Sequence, residues 1–437
     1  MAVSAEQMRS SRVRSVMVVA STITLFVVGF PVVLADLGPG PLFYYRLLLF
    51  PADLALAATA AAVLAVAATH RPRPGAGTVL LALLTGALAI ALAFHPSPQG
   101  LQTVLRFGGA ATLAFALSML SRDERLLAVA TLGLLTMAQI GLGVAQLVHG
   151  GPLGLSSFGE VADPLRDFSG VLGARGMMHG MYVLAGLGLI AALLLVREGL
   201  ERDARLAFVL AGVAAMAVGL TFSRAAAAGL AISCVALAAC VPERRRSVLA
   251  AILCLVLGAA VPAVLLAPGW EERASVSLRG RDTLVEEALG LIADSPLVGI
   301  GPGRSLFVLP VRYPEEPDIG YQPVHDLPLL AAVEGGVVAG GLAVALLISL
   351  AWRARRDLAA VALFLAFLPP VLLDHYTYTY LQGVVLLGVW VGMLDGLAAR
   401  AVPVLAPDPR LQGFVARLRP ASGARAPRRT SPPPRTA

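Results

Sequence analysis

The chain has 437 residues, 57% hydrophobic and 14% charged, with a mean hydropathy of +0.79, where soluble domains carry about 25% charged residues. That composition excludes an ordinary soluble protein and describes a polytopic membrane protein. The formal net charge of +7 rests on arginine alone, since all 34 basic residues are Arg; their placement follows membrane topology, so no nucleic-acid partner is expected.

In chain order, windows of about twenty apolar residues, the helix length that crosses about 30 Å of hydrocarbon, predict about twelve spans. Their limits are 15–35, 50–69, 78–94, 103–120, 125–148, 177–196, 206–222, 225–241, 248–268, 326–350, 358–373 and 381–399. The first resembles a signal peptide, but no small-residue cleavage site precedes Pro39-Gly40-Pro41, so it reads as an uncleaved span. Cys234, Cys240 and Cys254 all fall in apolar runs and offer no disulfide framework. Residues 400–437 mix arginines with Pro407, Pro409, Pro420, Pro427 and Pro432 to Pro434, which builds no core, so a disordered tail that touches membrane lipid is expected.

With the N-terminus inside, every short inner loop is basic, from Arg71/Arg73 and Arg122/Arg125 through Arg244 to Arg246 and Arg353/Arg355/Arg356. Counting the tail, 24 of the 34 arginines face the cytoplasm, as the positive-inside rule requires. Both termini are therefore predicted cytoplasmic, with residues 1–399 forming one transmembrane domain. The ten arginines left outside are disfavoured by that rule and call for an anionic partner. They are Arg46, Arg106, Arg166, Arg175, Arg224, Arg273, Arg279, Arg281, Arg304 and Arg312. Taken alone, Arg224 at the Thr221-Phe222-Ser223-Arg224 turn is as readily a snorkelling arginine as a ligand-binding one.

Between the ninth and tenth spans lies a long polar outer loop, 269–325. Within it, Arg281 to Ile292 has apolar residues at helical spacing and stops at Asp294-Ser295-Pro296, which predicts a short amphipathic helix opened by Arg281 beside the positive end of its dipole. The cluster Gly299-Ile300-Gly301-Pro302-Gly303 matches neither nucleotide fingerprint and reads as a tight turn. His325 ends the loop, with Asp326 beside it and Glu334 about two turns along the same helix. A satisfied core histidine is the common reading of such a residue, yet beside outer arginines an acid/base role is chemically available. Asp374-His375-Tyr376-Thr377-Tyr378-Thr379-Tyr380 follows the eleventh span; an aromatic belt explains its tyrosines, while Asp374 and His375 are open to orienting His325 or binding a sugar. The remaining histidines have no metal-ligand spacing, so no metal is expected.

The Thr221 to Arg224 turn, Arg281 with Asp294 to Gly303, Val324-His325-Asp326 with Glu334-Gly335-Gly336, and Asp374-His375-Tyr376 occur in an order that resembles the O-antigen ligase and O-antigen polymerase superfamily of bacterial membrane glycosyltransferases, over about residues 160–395. The resemblance implies an all-α, GT-C-like fold in the bacterial inner membrane. It implies transfer of glycan from an undecaprenyl-diphosphate donor to an acceptor hydroxyl, on a glycan or a lipid-linked carrier, during surface polysaccharide biosynthesis, with no cofactor. His325 is then the catalytic base, Arg224, Arg281 and Arg175 hold the diphosphate, and Asp326, Glu334, Asp374 and His375 support the acceptor side. The chain departs from the family at Asp326, where Asn is frequent, at Val285, where Trp is frequent, and at Met178-His179-Gly180, where Pro-Asn is frequent.

Ligase and polymerase fit the same residues. A transporter or lipid-glycan flippase has a similar hydropathy profile but predicts internal repeats and midplane charges, which the sequence does not display. A peptidoglycan-polymerase-like or protein O-glycosylating transferase differs only in its acceptor.

Overall fold

The computed structural model describes residues 51–70, 72–121, 224–240, 270–313, 322–355 and 357–398, with a helical stretch at 16–22, strands at 32–36 and 46–49, and isolated positions elsewhere. The predicted spans 125–148, 177–196, 206–222 and 248–268, the loop carrying Arg166 and Arg175, and the tail 400–437 lie essentially outside these residues.

Two short strands come first, β1 (Val32–Asp36) and β2 (Arg46–Leu49), paired antiparallel with Val32 opposite Leu49 and Asp36 opposite Arg46. They add a small hairpin to an otherwise helical fold and shorten the predicted span 15–35, whose last residues are strand. Pro31 and the Gly38-Pro39-Gly40-Pro41 run resist helix, and Val32-Val33 favours extended backbone. Among the described residues ten helices follow: α1 (Pro51–His70), α2 (Ala76–Phe94), α3 (Pro98–Met119), α4 (Arg224–Cys240), α5 (Trp270–Asp294), α6 (Ser305–Arg312), α7 (Leu327–Ala354), α8 (Leu358–Leu373), the single turn α9 (Tyr376–Thr379) and α10 (Leu381–Ala398). Four of them, α1, α2, α3 and α7, are long and apolar enough to cross a membrane; parts of α4, α8 and α10 form shorter apolar helices.

Close approach of small residues sets the packing, as expected where lipid removes the hydrophobic drive between helices. Gly388 and Gly392 of α10 lie against the backbone of Ala110 and Ala114 of α3, so a Cβ at Gly392 would stand 2.6 Å from the Ala114 carbonyl oxygen. These two helices run parallel, as do α1 and α3, where Asp53 pairs with Arg106 and Leu56 packs on Gly109. The other pairings are antiparallel: α2 on α7 through Gly77 with Leu350 and Gly335 with Leu88, and α4 on α8 through Gly229 with Ala366 and Ser233 with Ala362. The core centres on Trp390, stacked 5.6 Å from Phe364 and donating its indole N–H to the Leu363 carbonyl at 3.1 Å.

At one end, α2, α7 and α10 are tied by the buried Asp395 carboxylate. It accepts from Thr78 N and Thr78 Oγ1, both at 2.8 Å, and pairs with Arg353 Nε at 3.0 Å. The opposite end carries α5, α6, α9 and His325. There α7 is broken at Gly336, whose φ of 78° and ψ of 174° are non-helical. The part after the break, 337–354, is about 27 Å long at 1.5 Å per residue, close to the hydrocarbon thickness by itself; residues 327–335 form a separate short helix.

The break frees backbone groups, and the glycine cluster takes them. Ile300 N donates to Val333 O at 2.9 Å, Gly301 N to Glu334 O at 3.0 Å, and Val337 N reaches back to Pro296 O at 2.8 Å. These replace helix bonds that Gly336 interrupts, as buried backbone groups require. The positive φ values at Gly299, Gly301 and Gly303 curl the chain for this, and a Cβ on Gly336 would fall on the Leu297 carbonyl. The cluster is therefore a turn, as its composition indicates, whose work is to clasp α7 and the α2–α3 connection at His95 and Gln99.

Candidate functional site

α5 spans 25 residues and begins at Trp270, eleven positions before the start expected at Arg281. The correction matters for Arg281. It lies in the helix interior, about three turns from the N-terminus, so the dipole argument does not apply to it. The polar segment Glu271-Glu272-Arg273-Ala274 contains no breaker, and Gly280 costs only about 1 kcal/mol within a helix, so the helix runs through it.

What places Arg281 is α8. Its guanidinium donates to the Leu373 carbonyl at 3.1 Å, the last residue of that helix. Asp374 comes next, its carboxylate accepting from Tyr376 N at 3.1 Å and turning the chain into α9. His375 follows, buried, with Nδ1 2.8 Å from Thr379 Oγ1. The His375 ring stands edge-on to His325, centroids 4.7 Å apart at 81°. Tyr376 and Tyr380 stack on each other at 4.3 Å and lie near-parallel to His375. Thus Arg281, His325, Asp374 and His375, scattered over almost a hundred positions of sequence, form one cluster.

The environment of His325 decides its protonation. Its pKa is lowered to about 3, chiefly by burial and then by the His375 and Arg281 charges, with Asp374 and a hydrogen bond to the Pro323 backbone opposing them. It is a neutral imidazole at neutral pH, and its buried Nδ1 has no hydrogen-bond partner. A neutral ring of this kind is able to receive a proton.

The other expected site residues have different tasks. Asp326 caps α7: its Oδ1 accepts from Leu329 N at 2.7 Å, as an Asp before a Leu-Pro start favours. Glu334, fully buried, accepts from Gly303 N, from Ser305 N at 3.2 Å and from Ser305 Oγ at 2.6 Å. Its carboxylate holds the glycine clasp in place. Arg224 opens α4; the antiparallel register of Gly229 with Ala366 and Ser233 with Ala362 puts its backbone level with Val371, at the end of the bundle that carries Asp374. Arg175 lies outside the described residues.

Two of the arginines expected outside, Arg106 and Arg312, form ion pairs with carboxylates among the described residues. Arg106 makes a two-pronged pair with Asp53 at 3.2 and 3.3 Å, and Arg312 pairs with Asp294 at 3.0 Å. Sequence reasoning missed Asp53 and Thr379. A carboxylate early in an otherwise apolar span was the available signal for the first; nothing in the sequence marks the second. Among the described residues no three His, Cys, Asp or Glu side chains gather as a metal site requires.

Residues 206–344 match the family model described as O-antigen ligase. The chain carries an O-antigen ligase domain. The matched stretch takes in Arg224, Arg281, His325 and the broken first half of α7, and stops before Asp374 and His375. Over that stretch the match supports a likeness to the O-antigen ligase and polymerase superfamily and, in general terms, a glycan-transfer role at a membrane. No curated protein matches the chain.

Proposed function

We propose that the O-antigen ligase domain transfers glycan from an undecaprenyl-diphosphate donor to an acceptor hydroxyl on the outer face of the bacterial inner membrane, with His325 as the base. The observation that carries this is the junction of a partly buried, neutral His325 with Arg281 in one cluster, both inside the matched stretch. The acceptor oxygen attacks the anomeric carbon as its proton passes to His325. The bond from that carbon to the diphosphate breaks with inversion, and the leaving lipid diphosphate carries away the negative charge. Arg281 stabilises that charge, joined by Arg224 and Arg175. A lipid diphosphate is already an activated leaving group, so neither nucleotide nor metal is part of the scheme. The approach of the anionic donor to Arg281 offsets the charge that lowers the His325 pKa, so the base strengthens when substrate is bound.

Asp374 and His375 support the His325 ring from the acceptor side, while Asp326 and Glu334 act indirectly, by capping α7 and holding the clasp. The test is transfer from purified lipid-linked glycan by the full chain in detergent. His325→Ala and Arg281→Ala each remove at least two orders of magnitude of rate, the usual span of a lost base or charge contact; full transfer by either variant would falsify the mechanism. Mass analysis of glycan in a deletion strain separates ligase from polymerase, since long lipid-linked chains accumulate without a ligase and single repeats without a polymerase.

A further inference from the structure

We propose that Thr379 is a positioning residue that selects the tautomer of His375 and, through the edge-on ring contact, sets the orientation of His325. Its purpose rests on the transferase reading above, whereas its geometry does not. His375 Nδ1 lies 2.8 Å from Thr379 Oγ1, and the same hydroxyl donates to the His375 carbonyl at 3.2 Å. A hydroxyl has one proton, and a carbonyl oxygen only accepts. With that proton on the carbonyl, the shorter contact is completed only when Nδ1 carries a hydrogen and donates it to Oγ1. Neutral His375 is then the Nδ1–H form, with the lone pair on Nε2.

The surroundings keep that ring where Thr379 sets it. Tyr376 and Tyr380, stacked on each other, lie beside it at 6.3 and 6.0 Å, nearly parallel, and Thr379, four residues on, closes the one-turn helix α9. His325 packs edge-on against it at 4.7 Å, and this ring contact, together with the hydrogen bond to the Pro323 backbone, restrains its rotation. A base acts only when its lone pair is aimed, and misplacement of a catalytic group is costly in rate. The neighbouring Thr377, also buried on α9, has a hydroxyl without a hydrogen-bond partner and serves as a control.

Nitrogen NMR on the full chain with 15N-labelled histidine, in detergent micelles above the ordinary histidine titration range, reads which ring nitrogen bears the hydrogen; His375→Gln and His325→Gln identify the signals. The expected result is Nδ1–H at His375, loss of that preference in Thr379→Val, its restoration in Thr379→Ser, and no change in Thr377→Val. A hydrogen on Nε2 of His375 in the unaltered chain, or a Thr379→Val tautomer identical to it, overturns the proposal. Transfer from a polyprenyl-diphosphate-linked oligosaccharide, run alongside, falls roughly ten-fold or more in Thr379→Val and recovers in Thr379→Ser. If the tautomer switches as expected but the unaltered chain transfers nothing, the transferase reading fails and the Thr379 assignment stands; a rate loss without a tautomer change sinks the Thr379 role alone.

Discussion

His325 shows how burial and charge keep an imidazole neutral. Its folded pKa of about 3 is depressed from 6.5, chiefly by desolvation. An unfolded chain therefore binds more protons than the folded one between these values, and stability must rise with pH through that window. As pH falls below about 6.5 toward 3, this contribution is lost. His325→Gln, which cannot titrate, should flatten that part of the acid limb in thermal unfolding of the detergent-solubilised chain; an unchanged limb would show that the ring is not buried neutral. The role of His325 as a candidate was legible because a titratable residue ends a polar loop at a span. Its partners were legible only as suspects, since nothing in the spacing of Arg281, His325, Asp374 and His375 says that a carbonyl at the end of α8 and a ring contact unite them.

Among the elements, α7 is the one whose interruption shapes the site. Its apolar run reads as a single span, because hydropathy is blind to backbone angles, and Gly335-Gly336 within such a run is only a weak hint of a break. The glycine cluster was likewise legible as a turn but not as a clasp, since its partners are carbonyls that exist only once Gly336 leaves the helix. Gly336→Ala should cost about 1–3 kcal/mol for the positive φ, and more for the collision with the Leu297 carbonyl. Glu334→Gln weakens an acceptor that holds three hydrogen bonds, each worth about 0.5–1.5 kcal/mol. Both variants should lower the melting temperature and lose transfer together. A Glu334→Gln chain of unchanged stability that had lost transfer would move Glu334 from the clasp into the chemistry.

For the molecule as a whole, small-residue seams set which helices meet, and the parallel and antiparallel pairings of α1, α2, α3, α7 and α10 agree with the alternation expected of successive spans. Gly392→Leu should split α10 from α3, because the Ala114 carbonyl occupies the space its side chain needs; size-exclusion chromatography would show a loss of monodisperse protein, and a normal elution profile would mean that the seam yields. The orientation of the bundle is tested separately. In a chain with Cys234, Cys240 and Cys254 replaced by Ala, a cysteine at the exposed Ala293 of α5 should react with a membrane-impermeant maleimide applied outside the inner membrane. Protection of that site in spheroplasts, with labelling only after lysis, would invert the topology.

The sequence by itself determined the membrane character, the location of most described helices, the long polar segment before α7 and the family resemblance, because hydropathy and short ordered motifs are local properties of the chain. It also named His325 and Arg281, since charge against the topology rule and a titratable group at a span boundary are visible without coordinates. Only the tertiary structure decided what these residues touch. It moved Arg281 from a helix start to a helix interior, gave Asp326 to the α7 cap and Glu334 to the glycine clasp, paired Arg106 with Asp53, and brought His375 and Thr379 to His325. Those outcomes depend on which backbone groups a broken helix leaves unpaired and on how closely small residues let helices approach, and both are properties of packing that no single segment contains.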